Sequence, residues 1–230
     1  MNAGLPALAG RLEEIRGRIA RAAARSGPDP GRVVLVGVAK RVPAAVVREA
    51  VALGLEDLGE NQVQEAEGKI AAVGRRAARW HMVGHLQRNK VGRAVDLFDR
   101  IHSVDRLELA AALSSRAAGR MLPVLVEVNV GGESTKFGVA PERLEALLEA
   151  VGELPGLRLD GLMTVGPQVA RPEDARRGFA ELRALRDRAR SRLGLGLPEL
   201  SMGMSADYEV AVEEGATLVR VGTALFGARA

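Results

Sequence analysis

Short apolar runs alternate with helical patterns from one end of this chain to the other, and that alternation constrains the fold more than any other feature. The runs are VVLVGVA (33–39), DLGEN (57–61), WHMVGH (80–85), RIHSV (100–104), LPVLVEVNV (122–130), LDGLMTV (159–165), ELSMGMS (199–205) and TLVRVGTALF (217–226). Between them lie segments such as PAAVVREAVALG, RLELAAALSSRAAG and PERLEALLEAVGEL, whose apolar residues recur at helical spacing. Strands that alternate with helices build right-handed βαβ units and a parallel sheet. Eight such units predict an α/β protein with a closed (β/α)8 barrel; an open doubly wound sheet is the alternative. Closure is favoured because the middle strands are almost continuously apolar, as strands buried on both faces are. No Gly-x-Gly-x-x-Gly follows the first strand, where an open dinucleotide-binding fold carries it.

No linker-like stretch divides the 230 residues, so one domain is expected over 1–230, with residues 1–30 as an N-terminal helical extension. Leu12, Ile15 and Ile19 share one face of that extension, and Gly27 and Pro28 punctuate its end. Pro43 suits the first turn of the helix after the first strand, and Gly54 suits the position just beyond its end. With 47% hydrophobic residues the chain can bury a substantial core. Its net charge of +4 comes from interleaved rather than blocked charges, so no nucleic-acid-binding tail stands out. Aromatics at 3% leave little on which bases could stack. The absence of cysteine excludes disulfides, thiolate metal sites and cysteine nucleophiles. No apolar run is long enough to span a bilayer and no signal-peptide core opens the chain, so a cytoplasmic location is expected. With no large apolar patch evident, a monomer is expected.

In a barrel, chemistry gathers where strands end and βα loops begin. Those positions hold Lys40, Glu60-Asn61, His85, Asn129, Met163-Thr164, Met204-Ser205 and Arg220 to Thr223. Of 33 basic residues only Lys40, Lys69, Lys90 and Lys136 are lysines, and Lys40 closes the first strand. A lysine there can be a solvated strand exit, an ion-pair partner, or a nucleophile whose amine is kept neutral by desolvation and nearby cations. The loops after strands 7 and 8 are a frequent phosphate site in such barrels. Here they offer Ser205 at an expected helix start, Gly222, which lets backbone N–H groups approach an anion, and Thr223. Ser205 as a plain helix cap and Gly222 as a packing position are the bland alternatives. Arg220 lies between Val219 and Val221 in a strand expected to be buried, where a guanidinium requires a partner. A lysine, a phosphate cradle and an interior arginine together suit pyridoxal 5′-phosphate (PLP).

Seven stretches then carry a family resemblance: VGVAKRVP, LGENQVQE, WHMVGHLQRNK, IHSVD, VLVEVNVGGESTKFGV, GLMTVGP and LSMGMSADYEVAVEEGATLVRVGTALFG. They run in order from residue 36 to residue 227, and HLQRNK and LSMGMSAD are the most specific. The chain closely resembles the pyridoxal phosphate homeostasis proteins, single-domain relatives of the alanine racemase barrel. The resemblance implies Lys40 as the Schiff-base lysine, Ser205, Gly222 and Thr223 as the phosphate site, and Arg220 as the partner of the pyridine nitrogen. It implies Asn61, Met204 and His85 as neighbours of the ring. Gln62 and Tyr208 depart from the Tyr and Met common in the family, and both leave these residues unchanged.

An arginine at the pyridine nitrogen donates a hydrogen bond but has no proton to give, so the ring is a weaker electron sink than with a carboxylate. Racemisation also needs acid/base groups on both faces of the bound amino acid. Beyond Lys40, the racemases use a tyrosine from a further domain and the related decarboxylases a cysteine. The single tyrosine, Tyr208, is predicted on the helix after strand 7, and there is no cysteine. The expectation is therefore a PLP carrier that buffers the cofactor or delivers it to PLP-dependent apo-enzymes, with no catalytic residue assigned. A PLP-dependent racemase or lyase using the same site is the alternative, and a phosphate-binding barrel with an incidental lysine is a further one. His81 and His85, on one strand, give no metal site. Lys136 is read as a solvated loop lysine, with a transient second amine for the aldehyde as the sharper possibility. The basic segment RPEDARRGFAELRALRDRARSRLG is read as a solvated helix whose arginines pair with its own acids, not as a nucleic-acid surface.

Overall fold

The computed structural model describes residues 4–26, 30–117, 119–133, 135–166 and 170–227. Eight parallel strands close into a barrel in sequence order: β1 Val34–Val38, β2 Asp57–Glu60, β3 Arg79–Met82, β4 Arg100–Val104, β5 Leu122–Glu127, β6 Leu157–Met163, β7 Glu199–Ser201 and β8 Leu218–Val221. Closure is made by β1 against β8, with Val36 opposite Arg220 and Gly37 opposite Val221. The helices outside are α1 Gly4–Ser26, α2 Ala44–Ala52, α3 Val63–Val73, α4 Val91–Leu97, α5 Leu107–Arg116, α6 Leu144–Gly152, α7 Arg176–Leu193, α8 Tyr208–Glu213 and α9 Thr223–Phe226.

Side chains alternate across each strand, so one parity faces the helices and the other fills the barrel. Trp80, Leu58, Leu162, Leu200, Val219 and Val221 belong to the large outer core against the helices. Val36, Leu125, Met163 and Leu218 form a separate small cluster inside, with Val34 packed on it. Arg220 shares the parity of Leu218, and Lys40 that of Val34 and Val36, so both belong to the inner face. α1 covers the outside near the barrel closure, where Arg11 Nε donates to the carbonyl of Leu225 at 2.6 Å and Arg16 Nη2 to that of Gly54 at 2.6 Å. Gly27 and Pro28, expected to end this helix, lie outside the described residues.

The regular strands are shorter than the apolar runs. The last run stops as a strand at Val221; Gly222 adopts φ −109° and ψ −82°, and the apolar residues beyond it form α9, which buries Leu225. The seventh stops at Ser201, and the following helix begins at Tyr208 with Asp207 ahead of it, so Ser205 lies in the loop and is not a helix cap. The third stops at Met82, which leaves His85 in the loop rather than on the strand with His81. The arginines of α7 reach other helices more than their own: Arg176 pairs with Glu213 at 2.6 Å and Glu214 at 3.0 Å, and Arg192 with Glu145 at 3.2 Å. Pairs within the segment are those of Arg171 with Asp174, Arg176 with Glu173 and Arg186 with Asp187, each at 2.7 Å.

Candidate PLP site at the C-terminal mouth of the barrel

Lys40 lies two residues beyond the end of β1 and lines a cavity of about 410 Å³ with Asn61, Met82, Gly84, His85 and Lys90. No carboxylate is among its lining residues. A second cavity, of about 290 Å³, lies at the opposite end of the barrel under α1; it is bordered by Arg16 and the Asp57–Arg79 ion pair and holds no nucleophile. At the mouth, β3 exits against Asn61 because residue 84 has no side chain. A Cβ there would lie 2.4 Å from the Asn61 carbonyl oxygen and 2.7 Å from its Cα. Gly84→Ala should therefore push the Asn61 loop outward and lower stability by about 1–3 kcal/mol, read as a shift of the urea midpoint at unchanged slope. A midpoint equal to that of the wild type would show that the loop yields freely.

The β7 and β8 exits supply a different chemistry. Ser205 Oγ accepts the backbone N–H groups of Gly222 and Ala224, each at 3.2 Å, so backbone donors converge on one hydroxyl. Thr223 beside them is exposed, and Met204 is half-buried with its N–H donated to Asp207 Oδ1 at 2.6 Å. Arg220 is 4% exposed. Its Nη1 donates to Ser201 Oγ at 2.7 Å and its Nη2 to the carbonyl of Thr164 at 2.8 Å. Burial pulls the guanidinium down to about 10, against the opposing pull of Glu127 and Asp207, so it remains a cation near neutral pH.

Arg220 ends a polar chain that crosses the barrel interior. Ser201 Oγ is 2.9 Å from His102 Nδ1, His102 Nε2 is 2.9 Å from His81 Nδ1, and His81 Nε2 is 2.9 Å from Asp57 Oδ1. Arg79 closes the far end on Asp57 at 2.6 Å. Burial would raise the Asp57 carboxyl, but hydrogen bonds from Arg79 and His81 outweigh it and hold it at about 2. Burial, reinforced by the charges of His81, Arg220 and Arg100, holds His102 well below its ordinary value, so its ring is neutral. A neutral ring offers one donor and one acceptor. Ser201 Oγ, which accepts from Arg220, can give its own proton to His102 Nδ1 or accept one from it through its second lone pair. The chain fixes the arginine's orientation with every member satisfied, which is the condition for tolerating such a network in a core.

The alanine racemase N-terminal domain family matches residues 11–230. Two proteins named pyridoxal phosphate homeostasis protein are close in sequence. The one from Aquifex aeolicus is 47% identical over 221 residues, covering 95% of this chain and 97% of its own. The one from Pseudomonas aeruginosa is 48% identical over 224 residues, with 96% of each chain covered. The chain belongs to the pyridoxal phosphate homeostasis protein family. The solved structure of PipY from Synechococcus elongatus with PLP bound superposes with a TM-score of 0.84 at 38% identity, covering 96% of this chain and all of that one. Alanine racemase from Corynebacterium glutamicum, at 17% identity and a TM-score of 0.74, shares the fold.

Set beside that family, the eight residues singled out from sequence divide by the strand exits that carry them. Lys40, Asn61 and His85 line the mouth cavity, while Met204, Ser205, Arg220, Gly222 and Thr223 form the β7–β8 side. His85 stacks on Phe137 with ring centroids 3.7 Å apart. Lys136 pairs with Glu133 at 2.7 Å and is not among the cavity-lining residues, the environment of a loop lysine. Among the described residues no group of three or more potential ligands could hold a metal. No described helix is long and apolar enough to cross a membrane.

Sequence reasoning missed three features. One is the interior chain of His81, His102 and Ser201. A second is Glu127, pushed up to about 7 by burial and by Asp105, against the pull of Arg220. The third is the buried group of Glu60, Glu65 and Lys69 outside the first two strands. Strand parity was the available signal for the first, since alternate residues of RIHSV and ELS must point inward.

Proposed function

We propose that this chain captures PLP at Lys40, holds it between the mouth cavity and the β7–β8 loops, and passes it on without turning substrates over. The observation that carries this reading is the placement of Lys40. It is an amine on the inner-face parity of β1, in a cavity free of carboxylates, with β8 and its anion cradle paired to the same strand. Bound PLP supplies an aldehyde and an electron-withdrawing ring. Lys40 would supply the amine that takes up the aldehyde carbon, with water as the leaving group. The residues present suit the rest of the ligand. Backbone N–H groups around Ser205 can take phosphate oxygens, Arg220 can donate to the ring nitrogen, and Asn61 and His85 can flank the ring. Asn129 Oδ1 is buried at a strand exit of this mouth without a hydrogen-bond partner, and His85 Nδ1 faces only Asp105 Oδ2, at 3.6 Å. Orphaned polar atoms of this kind favour a ligand or ordered water at the rim.

Carriage rather than turnover is supported by where the other acid/base candidate lies. Tyr208 is buried on α8, and its hydroxyl interacts with Arg18 of α1, outside the barrel. The relatives named for PLP homeostasis and the PLP-bound PipY structure support the same reading. PLP-dependent apo-enzymes in the cytoplasm are the proposed recipients, served by a monomer. The deciding experiment is PLP titration followed by borohydride reduction and peptide mass spectrometry. One adduct, on Lys40, is expected. An adduct confined to Lys90 or Lys136 would overturn the assignment, as would steady racemisation or decarboxylation of amino acids at ordinary enzymatic rates.

A further inference from the structure

We infer that Lys69, with Glu60 and Glu65, is a positioning residue that clamps the backbone on both sides of Lys40 and so aims its amine into the mouth. The inference rests on the reading that Lys40 is the capturing amine. It goes beyond that reading because none of the three residues lines the cavity.

The clamp lies outside the barrel wall. Lys69 and Glu65 share one face of α3, four residues apart, and Glu60 ends β2. Lys69 is 7% exposed, which is unusual for a lysine. Its Nζ donates to Glu60 Oε1 at 2.7 Å, to Glu65 Oε1 at 2.6 Å, and to the carbonyl oxygen of Ala39. Glu65 Oε1 in turn accepts the backbone N–H of Arg41. The peptide groups immediately before and after Lys40 are thus tied to one ion cluster, one through its carbonyl and the other through its N–H.

Such a tie has a conformational task. Arg41 sits at φ +59°, a left-handed conformation that non-glycine residues adopt only when their surroundings hold them there. The turn at Arg41 ends β1 and separates Lys40, whose parity points inward, from the chain leading to α2. An ammonium ion satisfied by three oxygens fills all its donor sites, so the cluster is specific in geometry as well as charge. Ground-state positioning of this kind acts on capture rate, because the amine must be delivered within bonding reach of an aldehyde whose ring and phosphate are fixed elsewhere.

Lys69→Met and Glu65→Ala are the test variants. The second removes the acceptor for Arg41 together with the Lys69–Glu65 pair and leaves Lys69 on Glu60 and Ala39, so it decides the matter if the first does not fold. Three readouts are taken: the rate of borohydride-trapped PLP at residue 40, the affinity for pyridoxine 5′-phosphate, and hydrogen exchange in segment 39–42. Pyridoxine 5′-phosphate carries the ring and phosphate but no aldehyde. Capture is expected to slow by about tenfold to a hundredfold. Exchange in the segment should rise, while affinity for the aldehyde-free analogue stays within about twofold, a change of under 0.5 kcal/mol. Capture at the wild-type rate in a folded variant would overturn the inference. An equal loss of capture and analogue affinity would also overturn it, since that marks a general structural role. Failure of the wild-type protein to trap PLP on Lys40 would instead sink the underlying reading and this inference with it.

Discussion

Lys40→Ala should leave the protein colourless with PLP and free of any borohydride-stable adduct at residue 40. Lys69 is locked to Glu60, Glu65 and Ala39, and Lys136 pairs with Glu133 outside the lining. Lys90 is the other amine of the cavity, but it belongs to the single turn before α4 and not to a barrel strand. What survives in the variant is non-covalent. Ser205 with its converging backbone donors, and Arg220 held by Ser201 and Thr164, depend on no atom of residue 40. PLP should therefore still bind through its phosphate and ring, weaker by at least about tenfold, or about 1.4 kcal/mol. Absorbance titration in the visible range, with equilibrium dialysis for the colourless complex, separates the two contributions. A variant that stays yellow and still traps PLP would assign capture to Lys90.

The barrel was legible because its signal is repeated eight times, and no single strand had to be read correctly for the count to hold. Boundaries were less legible, for reasons specific to each loop. In TLVRVGTALF the apolar character continues through Phe226, yet backbone rotation at Gly222 converts the second half into α9, and Leu225 is buried from that helix. Period-two and helical patterns cannot be distinguished over four residues. The site residues at strand exits were found because exits are where such barrels place chemistry, whichever residue ends the regular hydrogen bonding. Lys69 was not found. Its i,i+4 relation to Glu65 looks like an ordinary surface pair, and only the packing of α3 against the end of β1 buries it. Arg220 announced itself as a charge in an apolar strand. His81 and His102 did not, because histidine is common at partly buried positions and its partners come from strands distant in sequence.

Stability should fall as pH rises from about 5.5 to 8, the reverse of what an acid-sensitive ion-pair network alone would give. Glu60 and Glu127 are each pushed up to about 7, from an ordinary value of 4.5. Burial is the leading cause in both. Around Glu60 the other charges are Lys69, which opposes the shift, and Glu65, which adds to it. Around Glu127 they are Asp105, which adds to it, and Arg220, which opposes it. With Lys69 already paired to Glu65, a proton on Glu60 leaves the cluster neutral and occupies the otherwise unpartnered Oε2. Between pH 5.5 and 8 the folded chain thus holds protons that the unfolded chain has released, so each glutamate contributes about 2 kcal/mol that is lost over this window. His102 acts in the opposite sense, because an unfolded histidine gains a proton below its ordinary 6.5 that the buried ring refuses, which offsets part of the gain at pH 5.5. Asp57, held at about 2, gives stability that is lost only as pH falls below about 4, and leaves the window untouched. The net expectation is a protein about 2–3 kcal/mol more stable at pH 5.5 than at pH 8, measured by urea unfolding at each pH. Glu127→Gln should remove about half of the glutamate contribution to that slope and Glu60→Gln the rest. A stability that climbs with pH across the window in the wild type, or a slope indifferent to both substitutions, would mean that these carboxyls are ionised in the folded barrel.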